Sequence, residues 1–161
     1  MFKRVNVREF EKGLLFRNGR FVRLLETGDH WIRGEMAVVD LRRTHTKVDA
    51  APVLTRDLVP VGIHLRIVSR VTDPAAAFLQ SYEYRAHLVN DTVASVHRAV
   101  SQVPLAELSV EHNRLELAIQ DRLALETAAY GLRVEDVAIV QVRFPKALRR
   151  KFKRMEVGGL P

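Results

Sequence analysis

The sequence predicts an α+β fold: a strand block rich in antiparallel pairing, followed by helices packed on a sheet. Three observations carry that reading. Asn18-Gly19, between apolar runs at 14–16 and 21–25, is a two-residue hairpin signal, because both positions reach positive φ at little cost. From Val59 to Val71 apolar and polar residues alternate over a length that suits a strand. From Tyr84 the apolar spacing changes to steps of three and four, the period of a helix face.

Taken in order, the hairpin is followed by a second turn at 26–30 (ETGDH), where Gly28 supplies a left-handed position. A short strand is expected at 37–42, and the DAAP run around Pro52 reads as a loop. In the alternating stretch Val59, Val61, Ile63, Leu65, Ile67 and Val71 share one face, interrupted by Ser69, while Pro60, Gly62, His64, Arg66 and Arg70 share the other. That is a half-buried strand with a wet outer face. Pro60 donates no hydrogen bond, so it belongs at the strand's start, at a bulge or on an unpaired side, and with His64, Arg66 and Arg70 it marks where an exposed edge is expected. Asp73-Pro74 starts a helix, the carboxylate capping free amides and the proline fitting the first turn.

Ala86, Val89, Val93, Val96, Val100 and Val103 form the core stripe of a first long helix that Pro104 breaks. A second helix, from about 109 to 130, buries Leu115, Ile119 and Leu123, with Gly131 at its left-handed cap. Residues 132–144 are apolar on both faces at their centre, which predicts a last strand covered on both sides. Pro145 opens a final helix in which Leu148, Phe152 and Met155 share a face against Arg149, Arg150, Lys151, Lys153 and Arg154. The expected organisation is one domain over 1–144 and a basic amphipathic helix stub and tail over 145–161.

The 161 residues, 47% of them hydrophobic, suffice for one core that buries roughly 70% of the unfolded surface. The absence of cysteine excludes disulfides, thiolate metal sites and cysteine nucleophiles. Charges at Lys3, Arg4, Arg8, Glu9, Glu11 and Lys12 leave no apolar run for a signal peptide, and nothing approaches the roughly 18 apolar residues of a membrane span. The net charge of +7 is uneven: +5 over residues 1–23, −4 over 24–142 and +6 over 143–161. Basic ends on a mildly acidic body point to an anionic surface met at the termini, or to two solvated ends.

The order of these signals resembles the stomatin/prohibitin/flotillin (SPFH, or band-7) domain. The resemblance rests on EKGLLFRNGRF, GDHW, VVDLR, LTRDLVPVGIHLRIVSRVTDPAAA and the long segment LAELSVEHNRLELAIQDRLALETAAYGLRVEDVAIVQVRFPKALRR, and covers the chain from about Val5 to Arg150. Within the bacterial branch the chain is most similar to stomatin-like slipins. The resemblance implies a non-enzymatic, membrane-associated scaffold that forms homo-oligomers, regulates a membrane protease or organises lipid and protein microdomains. It places the chain in the cytoplasm, peripheral at the inner face of the membrane. The N-terminal hydrophobic segment and long coiled coil usual in such proteins are not in this sequence, so peripheral contact with anionic lipid is expected rather than insertion.

Chemistry adds no competing signal. There is no P-loop, Gly-x-Ser-x-Gly elbow or His-Glu-x-x-His, and the histidines are scattered at 30, 45, 64, 87, 97 and 112. His45 and Asp49, four apart in the expected loop, are the pair nearest to a metal site, but solvated loop histidines are commoner. No catalytic, cofactor-binding or metal residue is assigned, and no cofactor is expected. Arg56 and Asp57 have two readings: an inter-subunit salt bridge, as the resemblance suggests, or a turn shaped by Thr55 and Asp57 with Arg56 solvated, the commoner case.

The C-terminal residues Leu148, Arg149, Arg150, Lys151, Phe152, Lys153, Arg154 and Met155 read first as the stub of an oligomerising helix. Second is a membrane contact in which the cations meet anionic headgroups, and third is phosphate binding in a soluble nucleic-acid adaptor, for which no aromatic platform is evident. At the other end Phe2, Lys3 and Arg4 form a peripheral anchor or a frayed terminus.

Overall fold

The computed structural model describes residues 1–81, 83–110 and 112–158, excepting the side chains of residue 152 and of 155–158. It is α+β, as the sequence predicts, with eight strands and five helices among those residues. Strands β1 (Lys3–Val7) and β4 (Gly28–Ile32) pair antiparallel. Strands β2 (Glu11–Arg17), β3 (Arg20–Leu25) and β5 (Glu35–Asp40) form a second sheet in the order β3-β2-β5. The β2–β3 turn is the expected one, with Asn18 at φ 50° and Gly19 at φ 72°.

Neighbouring side chains of a strand point to opposite faces, and Leu14 and Leu15 use this to join two cores. Leu15 packs with Val7, Leu25 and Ile32 in a small cluster beneath β1 and β4. Leu14 packs into the main core with Val39, Val48 and the buried face of the third sheet.

That sheet is antiparallel in the order β6 (Thr44–Leu54), β7 (Pro60–Val71), β8 (Leu132–Arg143). On β7 Val61, Ile63, Leu65, Ile67, Ser69 and Val71 are buried, so the alternation reads as expected. Each of these apolar side chains contributes about 1.5–3 kcal/mol by leaving water. Pro60 is the first residue of the strand and faces Leu54 of β6, where no donor is required. The strand is nevertheless central, so the exposed edge expected at Pro60, His64, Arg66 and Arg70 is absent: those residues lie on an open face. Pro52 also departs from expectation. It lies inside β6, after a cis peptide bond, where the pairing register shifts between Ala50 and Val53, and a bulge is the place a strand tolerates proline.

Four of the five helices are inserted between β7 and β8. Asp73 caps α1 (Pro74–Gln80), its Oδ1 accepting from the Ala76 amide at 3.0 Å, with Pro74 in the first turn. Helix α2 (Tyr84–Val100) packs on β6, α4 (His112–Ala128) packs on β8, and the two pack on each other. The one-turn α3 (Leu105–Leu108) follows Pro104 between them. Leu115, Ile119 and Leu123 are buried as expected, whereas the buried stripe of α2 is Leu88, Thr92, Ser95, Val96 and Val100, with Ala86 exposed. Gly131, at φ 70°, turns the chain into β8; a Cβ there would also collide with the Asp73 carbonyl oxygen. Strand β8 is covered on one face only: Leu132, Val134 and Val137 are buried while Val140 is 67% exposed. Helix α5 (Lys146–Gly158) follows Pro145.

Candidate interaction surfaces

The residues weighed for chemistry do not converge. Among the described residues no group of three or more His, Asp or Glu is placed to hold a metal ion. His45 and Asp49 are not in a loop but on the long strand β6, and Asp49 is engaged across the open sheet face. Arg143 Nη2 donates to both its carboxylate oxygens, at 2.6 and 2.7 Å, and His64 Nδ1 stands 3.4 Å from Oδ1. The guanidinium holds the Asp49 carboxyl below its ordinary range.

Thr55, Arg56 and Asp57 form the β6–β7 turn, with Leu58 at φ 62°. The Thr55 hydroxyl donates to Asp57 Oδ1 at 2.6 Å and accepts from the Val59 amide at 3.0 Å. The same Oδ1 accepts from the amide of Leu105 at 3.1 Å, tying the turn to the start of α3. These bonds, the hydroxyl's first, keep the Asp57 carboxyl below its ordinary range. Asp57 is thus engaged within the chain in the turn-shaping manner, and the Arg56 side chain points elsewhere, onto a cleft beside α2, α3 and α4.

The N-terminal residues begin a strand rather than fray. Lys3 opens β1, whose inward row of Val5 and Val7 closes the small core with Ile32. The outward row is Arg4 and Asn6, and period two brings Phe2 to the same side. Across the ladder Arg4 faces Trp31 and Asn6 faces Asp29. Arg4 Nη2 and Asn6 Nδ2 donate to Asp29 at 2.6 and 2.9 Å, lowering the Asp29 carboxyl and raising the Arg4 guanidinium. The result is a small face with Phe2 at 64% and Trp31 at 71% exposure, and Lys3 on the other side of the strand. Trp31, the single tryptophan, carries no role in the sequence reading, in which the turn is expected at 26–30 and GDHW enters only as part of the family resemblance. In the structure those residues lie in β4.

At the other end Leu148 is half-buried and Arg149, Arg150, Lys151, Lys153 and Arg154 are exposed on α5. Arg149 Nε donates to the Phe144 carbonyl at 2.7 Å, capping the strand-to-helix junction. The side chains of Phe152 and Met155 lie outside the described residues. No helix among the described residues is long and apolar enough to cross a membrane.

Known proteins are similar to this chain over most of its length. The SPFH domain / Band 7 family matches residues 5–157. The chain is 33% identical over 150 residues to an uncharacterized protein of Archaeoglobus fulgidus, covering 89% of this chain and 59% of that protein. It is 28% identical over 151 residues to a stomatin homolog of Pyrococcus horikoshii, covering 92% and 57%, and 26% identical over 151 residues to stomatin-3 of Caenorhabditis elegans, covering 89% and 56%. The chain therefore spans less than two thirds of the length of these relatives. With the match running from within β1 to within α5, the chain belongs to the SPFH domain / Band 7 family.

Proposed function

We propose that this chain is a non-enzymatic scaffold that self-associates and meets an anionic membrane surface peripherally, at its inner face. The observation that carries the reading is the outward face of β1 and β4. Trp31 stands across from Arg4 on the two-stranded ladder, Phe2 immediately precedes that ladder, and both aromatics are more than 60% exposed. The indole of Trp31, with its one polar edge, favours the headgroup layer, the Phe2 ring adds apolar area, and cations nearby gain about 1 kcal/mol each from anionic lipid. Family membership supports the membrane-associated role, and the exposed cations of α5 supply a second basic contact. In this reading α5 is also the self-association element, through the stripe that begins at Leu148. Regulation of a membrane protease, or organisation of lipid and protein into microdomains, would follow from holding copies side by side at the bilayer.

The test is solution mass with and without vesicles containing anionic lipid. Association in solution, or on vesicles in a manner that weakens with salt, is expected, and polar replacement of Leu148 and Phe152 is expected to lower the mass. A strict monomer that ignores lipid overturns the proposal, and so does tighter, salt-sensitive binding to DNA than to vesicles, which would favour an adaptor that uses the basic termini on phosphates.

A further inference from the structure

A second site lies away from both termini, and it uses the arginine of the β6–β7 turn. Between that turn, the end of α2, α3 and the first half of α4 is a cleft of about 460 Å³, within the range of small-ligand sites. Its floor is apolar: Ala99, Val103, Leu108, Leu115 and Ala118. Leu108 and Leu115 are 1% and 6% exposed, so the floor belongs to the packed core and is preformed. Arg56 and Arg114 line it from two different elements, with Glu107 the single carboxylate among the described lining residues.

The Arg56 charge adds a little to the lowering of the Asp57 carboxyl, but among the described residues neither guanidinium is held in an ion pair. Asp57, next to Arg56 in sequence, is turned away to Thr55 and the Leu105 amide. A solvated arginine needs no explanation, but two on one cleft with an apolar floor make a recognition pattern. The floor removes methylenes from water, and guanidinium forks fix a planar carboxylate. The basic helix α5 is the wrong occupant, because its cations would face these two.

We propose that this cleft binds an amphiphile made of an acyl chain ending in a carboxylate, its chain on Ala99, Val103, Leu108, Leu115 and Ala118 and its head between Arg56 and Arg114. The site does not depend on the scaffold reading, since it shares no residue with β1, β4 or α5. Dodecanoate is the probe, titrated below its micellar concentration by calorimetry and by amide shifts. Saturable one-to-one binding is expected, with shifts centred on Ala99, Val103 and Ala118. Shortening the chain should weaken it by at most about fourfold per methylene. The double variant Arg56→Gln/Arg114→Gln should bind about tenfold or more weakly, with unchanged thermal unfolding and unchanged vesicle binding. Absence of saturable binding, equal affinity for dodecyltrimethylammonium, or unchanged affinity in the double variant overturns the site. A short peptide with an apolar, free C-terminus that binds more tightly than dodecanoate overturns the acyl assignment.

Discussion

At the residue scale, the side chain that decides most is Thr55. It is 1% exposed, and its single hydroxyl both accepts from Val59 N and donates to Asp57, which in turn receives Leu105 N. One oxygen therefore couples the turn between two core strands to the start of α3. Thr55→Val keeps the shape and removes the oxygen, leaving the half-buried Val59 amide without its side-chain acceptor and Asp57 with the Leu105 amide but without the hydroxyl donor. We expect a loss of about 1–3 kcal/mol in chemical or thermal unfolding. A loss below about 0.5 kcal/mol would show that the backbone bond from Thr55 N to the Val59 carbonyl holds the turn alone. Tyr130 is a parallel case: its hydroxyl donates to Asp91 at 2.6 Å, and burial, with the nearby carboxylate, raises its pKa far enough to keep it protonated throughout the working range.

At the scale of elements, what was legible in the sequence follows from which patterns residue types can carry. β7 declares itself because twelve residues alternate, and α1 because Asp73-Pro74 can do little else. The stripe of α2 was shifted because Thr92 and Ser95 are polar by type yet buried. Thr92 returns its proton to the Leu88 carbonyl at 2.6 Å, as Thr127 does to Leu123 at 2.7 Å, so the two threonines are satisfied inside their helices, whereas the Ser95 hydroxyl is buried without a hydrogen-bond partner among the described residues. β4 is five residues opening on a glycine, too short for a period to show, so the sequence does not mark Trp31 as part of a strand. Phe2, Arg4 and the cations of α5 were legible as surface chemistry, whereas the cleft was not, since it needs Arg56 and Arg114 brought together from distant elements.

Strand β8 teaches a related point. Its centre reads as doubly covered, but it is an edge strand, and α4 guards that edge with side chains. Glu116 Oε1 accepts from Ile139 N at 2.7 Å, and Gln120 Nε2 donates to the Glu135 carbonyl at 3.2 Å. Unpaired edge groups invite another chain, so this is protection as well as cohesion. Glu116→Ala should speed hydrogen exchange at Ile139 by about tenfold, while Glu116→Gln should largely preserve protection. Equal exchange in both variants would assign the protection to the ladder with β7.

For the whole molecule, the governing balance is between a strongly basic chain and carboxylates held ionised by the fold. Asp29, Asp40, Asp49 and Asp57 all sit below their ordinary range. Arg4, Arg42 and Arg143 hydrogen bonds lead for the first three, and the Thr55 hydroxyl for the fourth. A carboxyl whose folded pKa is depressed contributes stability that is present above the unfolded value, near 3.9, and disappears as pH falls through the folded one. Protonation in that window also adds positive charge to a chain already at +7, so self-repulsion grows as the pairs fail. The share of stability that these solvent-accessible groups contribute should therefore be lost only below about pH 4, and solvent screening keeps that share modest. Asp49 isolates the effect, because Arg143 reaches it from β8 across the whole sheet. Asp49→Asn should melt lower than the parent at pH 7 and decline less in acid, so that the two melting curves approach each other as pH falls below the unfolded value near 3.9. Curves that stay parallel from pH 7 to pH 3 would show that Asp49 acts through its shape and amide-like hydrogen bonds, and that the charge it carries contributes nothing to holding β6 and β8 on β7.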